Sequence, residues 1–426
     1  MKQHVFPRLG EEYWQEILDN GLTVRVVPKR GFARSYAFVG VDYGAVDTRF
    51  QLGAEAITTP GGVAHYLEHK MFDLPEGDAM NLFAQYGASP NAFTGYAMTA
   101  YYFDCTENFE ENLRILLRMV ATPYFSQQSV EKERGIIAQE IRMYEDSADS
   151  RLYEDLFAAL FASHPIRVPI AGTVESIQEI TNQTLETCHA AFYHPANMML
   201  CVVGDVDPAR VAQVARELTE TKRRALPVRD YGAQESVNCV KPRVERTMEV
   251  SMPTFAFGFK CEAPTDGGDA MKAEIIGALA AEILAGESSP LFMRLYEQGL
   301  IDSGFAADYE SVKNACIFTV SGDSRDPDAV YQAVLDEGKR LAKEGFPKED
   351  FERLVKSALG RRMRDLDSFE SICYRMCAYH FEGVDYFRFP AVYESVQAED
   401  VQAFLSRTVQ ESRAAISIIR PKEREE

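Results

Sequence analysis

Short apolar runs with strand character and longer amphipathic stretches follow one another along this chain in groups. In the first half, Leu22–Val27 and Tyr36–Val41 carry strand patterning, and Met98–Cys105 adds an aromatic-rich run. Stretches with helical periodicity follow at Glu107–Val120, Ser126–Glu145, Ser150–Phe161 and Asn182–Phe192. A strand over Met198–Gly204 and a helix from Pro208 close that half. The second half repeats the scheme with a strand over Met248–Phe259, helices over Asp269–Leu284, Asp326–Glu344 and Lys348–Cys377, and a closing strand over Ala414–Ile419. Strands grouped apart from helices, with no regular βα alternation, predict an α+β fold in which helices pack on an antiparallel sheet. The pattern predicts that fold twice.

Three short matches keep a single offset of 219 residues. Glu175-Ser176-Ile177-Gln178 returns as Glu394-Ser395-Val396-Gln397, Ala37-Phe38 with Gly40 resembles Ala256-Phe257-Gly258, and Glu133-Arg134 returns as Glu352-Arg353. Collinear matches at one spacing indicate a duplicated domain. The seam falls where Lys222-Arg223-Arg224, Pro227 and the polar residues 230–238 interrupt the apolar periodicity. The expected division is a first domain over 1–225, a linker over 226–245, and a homologous second domain over 246–426.

Composition narrows the function. A hydrophobic content of 46% with 26% charged residues excludes a disordered chain. Against 65 Asp and Glu stand 45 Lys and Arg, a net charge of −20. So acidic a chain is a poor ligand for nucleic acid or an anionic membrane, and it suits cationic partners instead. No apolar run approaches the roughly 18 residues of a membrane span. The first 18 residues lack the basic, apolar and small-residue succession of a signal peptide. Eight scattered cysteines read as reduced core residues, so the expected compartment is the cytoplasm.

The candidate chemistry sits in Pro60-Gly61-Gly62-Val63-Ala64-His65-Tyr66-Leu67-Glu68-His69-Lys70-Met71-Phe72. Pro and Gly break the chain, and a helix can begin near Val63. His65, Glu68 and His69 then stand at i, i+3 and i+4 on one face, while Val63, Leu67 and Met71 lie on another that would bury against the sheet. Two imidazoles one turn apart can chelate one divalent ion, and zinc favours such nitrogen-rich, low-coordination sites. The carboxylate of Glu68 occupies the general-base position of a metallohydrolase. This residue order is the inverzincin signature.

With these residues the chain resembles the pitrilysin/insulinase family of zinc peptidases, which includes the mitochondrial processing peptidases. The resemblance covers nearly the whole chain. It extends to Gly87-Ala88-Ser89-Pro90-Asn91-Ala92-Phe93-Thr94, to the segment from Glu131 to Ile141, and to Phe192-Tyr193-His194-Pro195-Ala196-Asn197-Met198. It implies two copies of one α+β domain, with Zn²⁺ held by His65, His69 and a third ligand at Glu140, 71 residues beyond His69 in a helix whose Ile136, Ile137, Ile141 and Tyr144 supply the apolar side. Glu133, two turns before Glu140, is implied to orient a ligand, and Asn91 and Ala92 to touch the backbone of a substrate added as a strand. By spacing alone Glu133 and Glu140 are also consistent with a solvated helix face, since the same helix carries Glu131 and Glu145. The activity implied is that of a zinc endopeptidase acting on short, extended peptides. The alternatives are a non-catalytic peptide-binding subunit and a peptidase dedicated to leader sequences.

The duplication allows a comparison within the chain. Adding 219 to His65, Glu68, His69 and Glu140 gives Leu284, Glu287, Ser288 and Leu359, so the second half is not expected to bind zinc. The family resemblance implies an Arg and a Tyr in that half to stabilise the tetrahedral oxyanion, after the segment from Gly286 to Phe292. Tyr296 and Asp302 stand in their places here, with Arg294 and Tyr309 nearby. The expected arrangement is therefore a pair, in which a related subunit, or a second copy of this chain, supplies those groups. Cys373, Cys377 and His380 are expected to be core rather than ligands, as are Met143-Tyr144 and the aromatic cluster 101–103. His164-Pro165 and His194-Pro195 mark turns, and the residues from Lys422 to Glu426 a solvated tail.

Overall fold

The computed structural model describes residues 1–264 and 267–422, so the tail beyond Lys422 lies outside the described residues. Two compact units are present. The first comprises Met1–Ile141, Pro169–Tyr231 and Met363–Phe387; the second comprises Arg142–Val168, Gly232–Arg362 and the chain from Arg388 onward. The expected division at 226–245 follows the chain, whereas the compact units cut across it: each contains a segment from the other half.

The first unit is built on a seven-stranded sheet in the order Lys2–Phe6, Glu11–Ile17, Thr23–Pro28, Met198–Gly204, Ser35–Val41, Thr99–Cys105, Ser89–Thr94. Its strands pair antiparallel except Thr23–Pro28 with Met198–Gly204. The second unit has a five-stranded sheet in the order Arg243–Met248, Ala414–Pro421, Thr254–Cys261, Ala315–Asp323, Ala306–Val312, with the first pair parallel. This reproduces the order and directions of the last five strands of the first sheet. The duplication is therefore visible in the topology.

Alternation along the central strands assigns each face. Ala37, Val39 and Val41 enter the main core of the first unit, together with buried residues of the helices Val63–Lys70, Phe109–Ala121, Asn182–Phe192 and Pro208–Leu218. Gly40 faces the other way, where an added Cβ would lie 3.1 Å from Cys377 Cβ on the helix Phe369–Phe381. In the second unit Phe257 meets Tyr331 of the helix Pro327–Glu344, while a Cβ on Gly258 would lie 2.7 Å from Leu160 Cδ1 on the helix Ala148–Leu160. Each sheet thus carries helices of its own half on one face and one helix from the other half on the opposite face. Ala148–Leu160 buries Leu152, Leu156, Phe157 and Leu160 in that position, at roughly 1.5–3 kcal/mol for each large side chain before entropic costs.

The register corrects one sequence match. Gly40 stands opposite Met199 and Gly258 opposite Ala415, so Gly258 is the counterpart of Gly40 at an offset of 218. Pairing Ala37 with Ala256 at 219 is out of phase by one residue, and such a slip exchanges the two faces of a strand.

Two expected elements are divided. The helix expected over Lys348–Cys377 ends at Arg364; after a 3₁₀ turn at Asp365–Asp367, Ser368 adopts an extended conformation and caps Phe369–Phe381 by accepting the Ser371 N–H. The strand expected over Met248–Phe259 is two, Arg243–Met248 and Thr254–Cys261, parted at Pro253. The expected linker 226–245 makes specific contacts. Val228–Arg229 pairs with Phe50–Gln51, and Arg229 pairs with Asp42 (2.9 Å) and Asp47 (3.0 Å). Glu235, further along, belongs to the second unit.

The expectation about apolar runs needs amending. Among the described residues the helical stretch Ala270–Glu297 is long enough to cross a membrane at a mean hydropathy of 1.3. Most of it is buried in the second unit, where Met271, Ile275, Leu279 and Leu284 are core.

Candidate metal centre

The helix Val63–Lys70 starts where only glycine fits. Gly62, its N-cap, has φ 93°, and a Cβ there would lie 2.5 Å from the carbonyl oxygen of Ala171. Val63, Leu67 and Met71 are buried as the pattern predicts, with Tyr66 beside them. His65 is buried, and Glu68 and His69 are half-buried.

Glu133 and Glu140 come from the helix Gln127–Asp146, whose buried residues are Val130, Ile137, Ala138 and Ile141. Ile136 and Tyr144, expected on that apolar side, are 45% and 39% exposed, and Met143, expected in the core, is exposed as well. Ile136 sits about 100° from Ile137 around the helix, and Tyr144 falls in the last turn, beyond the end of the first unit at Ile141. Two ties hold this helix in place. Tyr66 donates its hydroxyl to the Val130 carbonyl, and Arg134 donates to the carbonyls of Ile177 (3.2 Å) and Ile180 (2.8 Å).

The three expected ligands converge. His65 Nε2 is 3.5 Å from Glu140 Oε1, His69 Nε2 is 3.4 Å from Glu140 Oε2, and the imidazole centroids are 4.7 Å apart. Donors placed about 2.1 Å from a common tetrahedral centre are about 3.4 Å from one another, so this donor set fits one small divalent ion. Among the described residues it is the one group of three with donor atoms close enough to hold a metal. His65 Nδ1 is buried with no hydrogen-bond partner among the described residues, leaving Nε2 as its polar end. His69 Nδ1 bonds Glu133 Oε1 at 2.9 Å, which orients the ring as a carboxylate behind a ligating imidazole does. Burial opposes protonation of His69, but the hydrogen bonds to Glu133 and Glu140 outweigh it and push its pKa up to about 10. These carboxylates are arranged to hold positive charge.

Asn91 and Ala92 lie on Ser89–Thr94, the edge strand of the first sheet, which runs beside the helix Val63–Lys70. Asn91 is exposed, and its Oδ1 accepts the Ala92 N–H at 2.9 Å. Sequence reasoning missed the role of Thr94, whose hydroxyl donates to Glu68 Oε2 at 2.6 Å; the motif it closes was the available signal.

The second unit has no counterpart of this trio among the described residues. Leu284 is buried, Glu287 and Ser288 are exposed, and Ser288 Oγ accepts a bond from Arg353 at 3.2 Å. Tyr309 is buried edge-on to Phe404, which makes it a packing residue, while Arg294, Tyr296 and Asp302 are exposed. Cys373 and Cys377 are buried and point at the carbonyls of Cys201 and Met199, as core thiols do. Burial pushes the pKa of His380 down to about 4. His164 and His194 each cap a short 3₁₀ turn, Nδ1 accepting an N–H two residues on at 3.2 Å. Of the 101–103 cluster, Tyr101 and Phe103 are core and Tyr102 is half-buried.

Among the described residues, the duplicated antiparallel-rich α+β fold carries one cluster of two histidines and a glutamate able to hold a metal, in its first half. Residues 56–174 match the insulinase (peptidase family M16) domain, and residues 179–358 match the peptidase M16 inactive domain. A Bacillus subtilis protein named as an uncharacterized zinc protease, YmfH, is 37% identical, the alignment covering 98% of each chain. The chain belongs to the pitrilysin/insulinase (M16) family. An M16-like peptidase from Alicyclobacillus acidocaldarius superposes with a TM-score of 0.93 at 30% identity, over 98% of this chain and all of that one. Pitrilysin, at 19% identity, shares the fold with a TM-score of 0.76 over 97% of this chain and 45% of its own.

Proposed function

We propose that this chain is a zinc-dependent endopeptidase hydrolysing short, unstructured peptides, and that it works as the metal-bearing subunit of a pair. The observation that carries the reading is the convergence of His65, His69 and Glu140 at 3.4–3.5 Å, with Glu68 one residue from His69. When bound, zinc supplies an acidified water and a polarised scissile carbonyl. Glu68 takes the proton of the attacking water and returns it to the leaving amine. Glu133 keeps His69 turned so that Nε2 faces the site. An extended peptide adds to the edge of Ser89–Thr94, where Asn91 and Ala92 meet its main chain. The net charge of −20 favours peptides with basic segments.

Pairing is supported by the second unit. Tyr309 is committed to packing, and an aspartate at 302 would repel an oxyanion. A related subunit, or a second copy, then supplies the stabilising Arg and Tyr. All eight cysteines are free thiols, which favours a reducing compartment such as the cytoplasm.

The test measures metal content and peptidase activity of the wild type and of Glu68→Gln, alone and with a candidate partner. Both proteins should hold one zinc, and only the wild type should cleave, faster with the partner present. Failure to retain zinc would remove the metal reading, and full turnover by a chain that stays monomeric in solution would remove the pairing.

A further inference from the structure

The strand expected to receive substrate also reaches the expected base. Thr94 closes Ser89–Thr94, and its Oγ1 donates to Glu68 Oε2 at 2.6 Å across 26 residues of sequence. Strand alternation explains the meeting. Thr94 and Ala92 stand opposite Thr99 and Tyr101 and share their face, and Tyr101 is core beside Phe72, just beyond the metal-bearing helix. Asn91 and Phe93 turn to the other face, where Phe93 packs near Phe38 and Tyr374.

The backbone at Thr94 is gripped from two sides. Gly95 N–H donates to the Met98 carbonyl at 2.8 Å and closes the hairpin. Ala45 and Val46 donate to the carbonyls of Gly95 and Tyr96, each at 3.0 Å, and a Cβ on Gly44 would lie 2.4 Å from the Tyr96 oxygen. A β-branched side chain on such a turn has little rotamer freedom. Its hydroxyl is a fixed point for the half-buried Glu68.

We propose that Thr94 is a positioning residue: it holds Glu68 through Oε2, leaves Oε1 to take the proton of the attacking water, and so couples the substrate-docking strand to the base. This rests on the peptidase reading above. A tie that merely stabilises the fold predicts different behaviour, because it would act on stability and not on turnover.

Thr94→Val keeps the shape and removes the donor, whereas Thr94→Ser keeps the donor. Thr94→Val should lower kcat about ten- to a hundredfold, the worth of a hydrogen bond to a charged group, with KM within about threefold of wild type. Thr94→Ser should recover most of the loss. The second readout is the visible spectrum of the cobalt(II)-loaded chain without substrate. There Thr94→Val should alter the bands as Glu68→Gln does, and the two substitutions together should add nothing further. Wild-type kcat and wild-type bands for Thr94→Val would overturn the proposal, as would an equal kcat loss in Thr94→Ser. If the zinc-loaded wild type cleaves no peptide, the peptidase reading fails, and the cobalt comparison still decides the role of Thr94: non-additive band changes support it, additive ones overturn it. Thr94→Ala replaces Thr94→Val if the latter does not fold.

Discussion

Glu235→Gln should destabilise the protein by about 2–3 kcal/mol at neutral pH and by almost nothing near pH 2. Glu235 accepts the N–H groups of Ala162 (2.9 Å), Ser163 (2.6 Å) and His164 (2.8 Å), and pairs with Lys260 at 2.8 Å. Burial raises its pKa, but Lys260 and the three amides outweigh that and bring it from 4.5 down to about 2. At about 1.4 kcal/mol per pH unit that interval corresponds to about 3.4 kcal/mol, and partial exposure of the carboxylate reduces it to the range given. The folded pKa lies below the unfolded one, so the charged form favours the folded state. The contribution is complete above about pH 5 and fades as pH falls from 4.5 toward 2. About two-fifths of it remains at pH 3. Urea denaturation of both proteins at pH 7 and pH 3, followed by circular dichroism, measures the difference. An equal loss at both pH values, or a loss below about 0.5 kcal/mol at pH 7, would refute the assignment.

Glu133→Ala should weaken zinc binding about 10–100-fold, because His69 loses the carboxylate behind it; competition with a chromophoric chelator reads this directly, and an unchanged affinity would mean His69 needs no such support. Tyr66→Phe removes the donor to the Val130 carbonyl, a net loss of about 1 kcal/mol, and should weaken zinc about fivefold in the same titration while the secondary structure stays intact. A wild-type titration for Tyr66→Phe would show that the two ligand-bearing helices hold their spacing without that bond.

The helix carrying His65, Glu68 and His69 was legible because its chemistry is local. His65, Glu68 and His69 fall within about 1.1 turns of one helix, and their apolar counterparts alternate with them at helical spacing. Glu140 is a different case. Spacing placed it on a helix, but only resemblance to a family singled it out from Glu131 and Glu145, since nothing local says which face of that helix meets His65. Ser89–Thr94 was recognised as a motif and not as a strand, because Pro90 lowers strand propensity; at a sheet edge the missing N–H costs little. The bond from Thr94 to Glu68 joins elements that periodicity treats separately. The exchange of helices was equally hidden. An apolar stripe on 150–161 shows that a face is buried but not which sheet buries it, and the break at Ser368 that frees Phe369–Phe381 rests on a single cap.

That exchange also bears on how the chain is made. Met199 and Cys201 face Cys373 and Cys377, on a helix that begins 165 residues after Gly204. During synthesis the first sheet emerges with one apolar face bare, and it stays so until the helix Phe369–Phe381 has also left the ribosome. An interrupted translation product would therefore carry a sticky, half-clothed sheet, a natural target for chaperones and quality-control proteases.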